Sequence, residues 1–315
     1  SGSGKSTLVT QVLAELVRRH LGQKPDDEDD GALEIDVDDA TGLESFDRLV
    51  RVDQRPIGRT PRSNLATYTG LFDAVRKLYA ATPEARARGY GAGRFSFNVA
   101  EGRCETCQGE GFVSVELLFM PGTYAPCPAC EGARYNPETL EIRHRGRSIA
   151  DVLALSVDEA AEALDDVPAA VRSLATLREV GLGYLRLGQP ATELSGGEAQ
   201  RIKLATELQR ARRGHALYLL DEPTAGLHPA DIALLVHQLH RLVDAGNTVV
   251  VVEHDLATIA GADWVVDLGP AGGDGGGRVV ATGTPAEVAA AEGSVTAPYL
   301  ARHLAQRESA GRGPE

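Results

Sequence analysis

Two short apolar runs constrain the fold of this 315-residue chain more tightly than anything else in it. Ala216 to Glu222 reads ALYLLDE, and Thr248 to His254 reads TVVVVEH. Each run is continuous and bounded by polar residues, the pattern of strands buried on both faces of a parallel sheet. Between them PADIALLVHQLHRLVDAG reads as a helix, with Pro229 near its start and Gly246 just past its end. Strand, helix and strand in that order predict an α/β fold. The chain is 43% hydrophobic, enough to build one large or two modest domains.

Ligands of α/β sheets bind beyond the carboxyl ends of the strands, where ALYLLDEP places Asp221 and Glu222. The chain opens with SGSGKST, the back half of the phosphate-loop pattern G-x-x-x-x-G-K-[ST], and continues into a helix with Leu8, Val9, Val12, Leu13, Leu16 and Val17 on one stripe. In this reading the N–H groups of Gly2, Ser3, Gly4 and Lys5 wrap a β-phosphate, with Thr7 opening the helix behind them. Lys5 reaches the β and γ oxygens, and the Ser6 hydroxyl binds Mg²⁺. Asp221 holds the magnesium water shell, and Glu222 orients or deprotonates an attacking water. Blander readings are a Gly-Ser linker remnant for the loop and a helix N-cap for the paired acids. The first glycine of the pattern would precede Ser1 and the only methionine is Met120, so the chain is expected to begin inside a longer product.

The net charge of −13 argues against a surface that is basic all over. From Arg48 to Arg147, however, fifteen Lys and Arg face ten Asp and Glu, which makes this segment the place to look for a polyanionic partner. Pro25 to Asp39 carries nine acids and no base and is expected to be a solvated, mobile loop. No apolar run approaches the length of a membrane span, so a soluble cytoplasmic protein is expected.

The same middle segment holds all four cysteines, as Cys104-x-x-Cys107 and Cys127-x-x-Cys130 with 19 residues between the pairs. Matched knuckles at this spacing suit a tetrahedral Zn²⁺ site of four thiolates; redox dithiols and two disulfides are the alternatives. The glycines in CETCQGEG and CPACEGA free backbone N–H groups to turn toward sulfur. Between the pairs, FVSVELLF alternates as a strand should.

Glu193 to Leu208, ELSGGEAQRIKLATEL, resembles the signature motif of ABC-type ATPases. The resemblance implies that Gln54 is the magnesium- and water-sensing glutamine and His254 the γ-phosphate switch histidine. AGLHP resembles the loop that crosses to a partner. Ser195, Gly196 and Gly197 would then meet the ATP of a facing domain, a second ABC half or another copy. The stretches DQRPIGRTPRSNLATYTG, RARGYGAGRFSFNV, CEGARYNPETLEI, VGLGYLRLGQPATELSGGEAQR and DWVVDLGPAGGDGGG carry the resemblance further, to the C-terminal half of the UvrA excinuclease family, the DNA-damage sensors of bacterial nucleotide excision repair.

That likeness implies an ABC-type P-loop ATPase core, residues 1–54 and 205–304, interrupted at 55–204 by a helical signature domain with a zinc-bound β-hairpin module at about 94–140. Residues 305–315 are expected to be a disordered tail. It also implies ATP, Mg²⁺ and Zn²⁺ as cofactors and hydrolysis coupled to binding of damaged double-stranded DNA by shape rather than sequence. The helicase partner would dock on the absent N-terminal half, and no membrane is involved. Arg88, Arg94 and Arg103 are candidate phosphate contacts and Phe95 a candidate wedge against distorted bases, with core packing the alternative for Phe95. Alternatives at the level of function are a paralogue protecting its host from DNA-binding drugs, a non-hydrolysing zinc-dependent DNA-binding module, and a transporter motor.

Overall fold

The computed structural model describes residues 2–23, 36–117, 120–210 and 214–311. Ser1 and residues 25–35 of the acidic run lie outside them. Among the described residues the strands are β1 (Arg48–Val52), β2 (Phe112–Leu117), β3 (Met120–Pro126), β4 (Ala216–Asp221), β5 (Thr248–Val252), β6 (Val265–Gly269) and β7 (Arg278–Gly283). Chain packing divides the molecule into two units, residues 1–53 with 212–315, and residues 54–211.

The first unit is built on a parallel sheet of order β1-β4-β5. Leu49 lies opposite Leu217, and Leu219 opposite Val250. As the middle strand, β4 is buried from Ala216 to Leu220, which is why its sequence does not alternate. Ala14 and Val17 of the helix Ala14–His20 pack on Leu217 and Leu219. Before it, Thr7–Leu13 is a π-helix instead of the expected α-helix. The Thr10 hydroxyl donates to the Ser6 carbonyl at 2.7 Å. The helix Pro229–Asp244 ends just before Gly246, whose φ is +87°. An antiparallel pair, β6-β7, completes the strands. The expectation of a disordered tail is corrected: a helix runs from Ala297 to Gly311, anchored by buried Ala297 and Leu300, and only 312–315 lie outside the described residues.

The second unit is mainly helical and includes the antiparallel β2-β3 pair. Its core includes an aromatic cluster. Phe72 stacks on Phe97 with centroids 4.8 Å apart, Phe97 meets Tyr135 edge-on at 6.2 Å, and Tyr79 lies 5.7 Å from Phe95. Tyr135 donates from its hydroxyl to the Phe95 carbonyl at 2.8 Å, so the burial of its ring leaves no polar atom stranded. Ser156 caps the helix Val157–Ala163 in a capping box with Glu159.

Candidate functional site

In the first unit the phosphate-loop residues and the acids at the end of β4 come together. Gly2 and Gly4 hold left-handed backbones at φ +86° and +84°, which a Cβ would strain. The Gly2 carbonyl accepts from the Gly273 N–H at 3.0 Å, fixing the loop's start. Ser3 is buried, and its hydroxyl accepts from the Lys5 ammonium at 2.7 Å. Ser6 donates to Asp221 Oδ1 at 3.0 Å, the pairing of hydroxyl and carboxylate that a shared Mg²⁺ shell uses. Glu222 is the next residue. Its N–H donates to the Val252 carbonyl at 2.8 Å, its φ is +46°, and its Oε1 lies 3.1 Å from Nε2 of His254 beyond the end of β5. Lys5, Ser6, Asp221, Glu222 and His254 thus gather at the carboxyl edge of the sheet.

Glu253 was not among the residues singled out from the sequence, yet it is the hub of this edge. One oxygen accepts from Thr224 N–H at 2.8 Å and Thr224 Oγ1 at 2.6 Å; the other accepts from the N–H groups of His254 at 2.9 Å and Asp255 at 3.3 Å. It ties the segment after Glu222 to the backbone of His254. The available signal was its place as a third acid at a strand end, beside the histidine of VEHD.

Gln54 and Ser195 belong to the second unit. Ser195 caps the helix Gly196–Gln209 with Glu198 as capping-box partner. Its hydroxyl lies 2.9 Å from Glu198 Oε2, so an arriving phosphate would have to compete with Glu198 for it. Gly196 passes so near Gln54 that a Cβ there would sit 3.0 Å from Gln54 Oε1, bringing Gln54 against the start of this helix. Gly197 follows inside the helix. Tyr184, 60% exposed, donates from its hydroxyl to Glu198 Oε1 at 2.8 Å, a second brace that sequence reasoning missed.

The four cysteines are free and clustered, and their sulfurs all lie within 4.8 Å of one another. Cys107 and Cys130 Sγ are 3.6 Å apart, and the Gly111 N–H donates to Cys107 Sγ at 3.2 Å. Burial opposes ionisation of Cys104, but the N–H groups of Cys107 and Thr106 outweigh it and bring the thiol down to about 7. Burial pushes Cys130 up to about 12 and also raises Cys107. The cluster has the donor set of a metal site.

Known proteins resolve the kinship. Over 303 residues, 96% of this chain, it is 59% identical to UvrABC system protein A of Thermus thermophilus. Over 300 residues, 95% of the chain, it is 56% identical to UvrABC system protein A of Neisseria meningitidis. The chain is homologous to part of UvrABC system protein A. It spans about a third of the length of these relatives, 31% of each. The crystal structure of UvrA2 from Deinococcus radiodurans matches it with a TM-score of 0.86 at 66% identity, over 96% of this chain and 36% of that one. No family model matches the chain.

In this UvrA homologue the residues proposed from sequence as DNA contacts are mostly engaged elsewhere. Phe95 is corrected: it is fully buried, packed near Tyr79, and offers no ring to a base. Alternation in RFSFN points Phe95 inward because partners supplied by other segments, Tyr79 among them, close over it. Arg94 lies over the Tyr90 ring at 4.4 Å and donates to Thr139 Oγ1 at 2.9 Å. Arg88 bridges Glu84 at 2.6 Å and Glu141 at 2.5 Å. Arg103 donates to Gln108 Oε1.

Proposed function

We propose that this chain is the ATP-hydrolysing, zinc-carrying portion of a DNA-damage recognition subunit of nucleotide excision repair. The observation that carries the nucleotide half of the reading is the convergence of Lys5, Ser6, Asp221, Glu222 and His254 at one sheet edge, linked by the Ser6–Asp221 and Glu222–His254 contacts. ATP would lie on the Gly2–Thr7 loop, with Mg²⁺ between Ser6 and Asp221 and the attacking water at Glu222 under the polarity set by His254. The UvrA kinship supports extending this to damaged duplex DNA, held through phosphates without sequence preference. A facing ABC half or second copy would bring Ser195, Gly196 and Gly197 to the phosphates, with Gln54 as sensor. Arg88, Arg94 and Arg103 remain candidates for phosphate contact by exchange of their present partners.

The cysteine cluster fits zinc. Zn–S bonds of about 2.3 Å set tetrahedral sulfur separations of roughly 3.8 Å, against 3.6 Å for Cys107 and Cys130 and a limit of 4.8 Å across the set. Bound zinc would hold the root of a hairpin too small to order itself.

The test is steady-state hydrolysis as a function of protein concentration. Activity per mole should rise with concentration, and Glu222→Gln should lower kcat by about 10²-fold or more while retaining ATP. A Glu222→Gln protein that hydrolyses ATP at the unaltered rate would reject the assignment.

A further inference from the structure

Arg134 follows the second cysteine knuckle and is almost fully buried, yet among the described residues no carboxylate pairs with it. Glu110, the nearby acid, lies 3.6 Å from Arg62. The guanidinium of Arg134 donates instead to two carbonyls, Pro61 O at 3.0 Å and Gly188 O at 3.1 Å, and lies 5.2 Å from the centre of the Phe97 ring. Its carbonyl accepts from the Cys104 N–H at 2.9 Å, and its backbone N–H is directed at the Cys130 sulfur. Its φ of +71° is unusual for a residue with a side chain. One residue therefore touches both knuckles with its backbone and two remote segments with its side chain.

Those two segments lead to the ATP-side residues of the same unit. Pro61 lies seven positions after Gln54, and Gly188 seven before Ser195. They are joined to each other by Ala191 N–H to Ser63 O at 2.7 Å and Ala66 N–H to Leu187 O at 3.0 Å. Beyond them, Gly196 abuts Gln54. A buried guanidinium without a counter-ion is costly. Four thiolates around one Zn²⁺ leave a charge of about −2, a compensating neighbour for the cation.

We propose that Arg134 is a positioning residue that couples metal occupancy of the cysteine cluster to the alignment of the segments carrying Gln54 and the Ser195 helix. This rests on the zinc reading above. With the metal bound, the thiolate charge holds the guanidinium between Pro61 and Gly188; without it, the cation loses its compensation and the two segments loosen. An arginine is required, because its planar fork spans two carbonyls, while lysine offers only a point charge.

The experiment is amide hydrogen exchange, with zinc content measured on the same samples, for the wild-type chain, Arg134→Lys and Arg134→Gln, each before and after chelation. Stripping zinc from wild type should speed exchange at Ala66 and Ala191 by about tenfold or more, with the helix Pro168–Glu179 unaffected. Arg134→Lys should hold zinc yet exchange at both amides at the stripped rate whether or not metal is present, and Arg134→Gln should also bind zinc more weakly. Zinc-loaded wild type that keeps both amides protected after chelation would overturn the coupling and leave the metal site standing. Absence of zinc from reduced wild type would overturn both, and Arg134→Lys with full zinc-dependent protection would show that the fork is not needed.

Discussion

Glu222 holds a left-handed backbone although it has a side chain, and it does so where its carboxylate meets His254. Such conformations cost on the order of 1 kcal/mol or more and persist where the surroundings enforce them. Glu222→Ala keeps the strain and Glu222→Gly relieves it. The glycine variant should therefore be more stable than the alanine variant by about 1 kcal/mol in urea titration, with both inactive in hydrolysis. Glu253 makes a different prediction. Glu253→Ala removes the acceptor shared by Thr224, His254 and Asp255, so ATP binding at Lys5 should persist while kcat falls by about tenfold, read by comparing nucleotide Kd with single-turnover rate. The paired acids Asp221 and Glu222 were visible because a buried strand must end before a charge begins. Glu253 was not, since its meaning lies in four bonds closed across two loops, and no local pattern encodes them. For Phe95 the sequence offered both outcomes, since period-two alternation says that two rings share a face, and the core-packing reading holds because Tyr79 and Phe72 of the helix Leu71–Ala80 cover that face.

At the level of elements, the cysteine knuckles and the inner strand β4 were legible because short spacing and unbroken hydrophobicity are local signals. The π character of the opening helix and the helix Ala297–Gly311 were not: the first is a matter of hydrogen-bond register within a helix that the apolar stripe already predicts, and the second is carried into a polar sequence by the burial of Ala297 and Leu300. The knuckles also make a pH prediction for metal-stripped, reduced protein. Because N–H groups bring Cys104 to about 7 while burial holds Cys130 near about 12, alkylation should begin at Cys104, rise through pH 7 as its thiolate forms, and leave Cys130 largely unmodified. Mass spectrometry of partially alkylated protein between pH 6 and about 9 measures this order, and preferential labelling of Cys130 would contradict it. The aromatic seam beneath the hairpin gives a stability prediction: Phe97→Ala removes the partner of Phe72, Tyr135 and Arg134 together and should cost about 3–5 kcal/mol.

Over the whole molecule, charge decides how DNA could be held. The hairpin residues 112–126 contain no lysine or arginine, so any contribution from them comes without cationic side chains and carries no counterion release. Replacing the hairpin with a short glycine linker should weaken duplex binding without altering the slope of log affinity against log salt, whereas neutralising an arginine that does meet phosphate should lower that slope by about one. The division into two units has a further consequence, for the order of folding. β1 and β4 are hydrogen-bonded neighbours, yet the whole second unit, about 160 residues, is threaded between them. Closing an unstructured loop of that size costs several kcal/mol of chain entropy before the first strand pair forms. The second unit contains its own buried core and can condense first, shortening the loop that the sheet must close. As the chain leaves the ribosome, β1 must therefore wait unpaired, its Leu49 and Val50 without their partners on β4, until the inserted unit has been made.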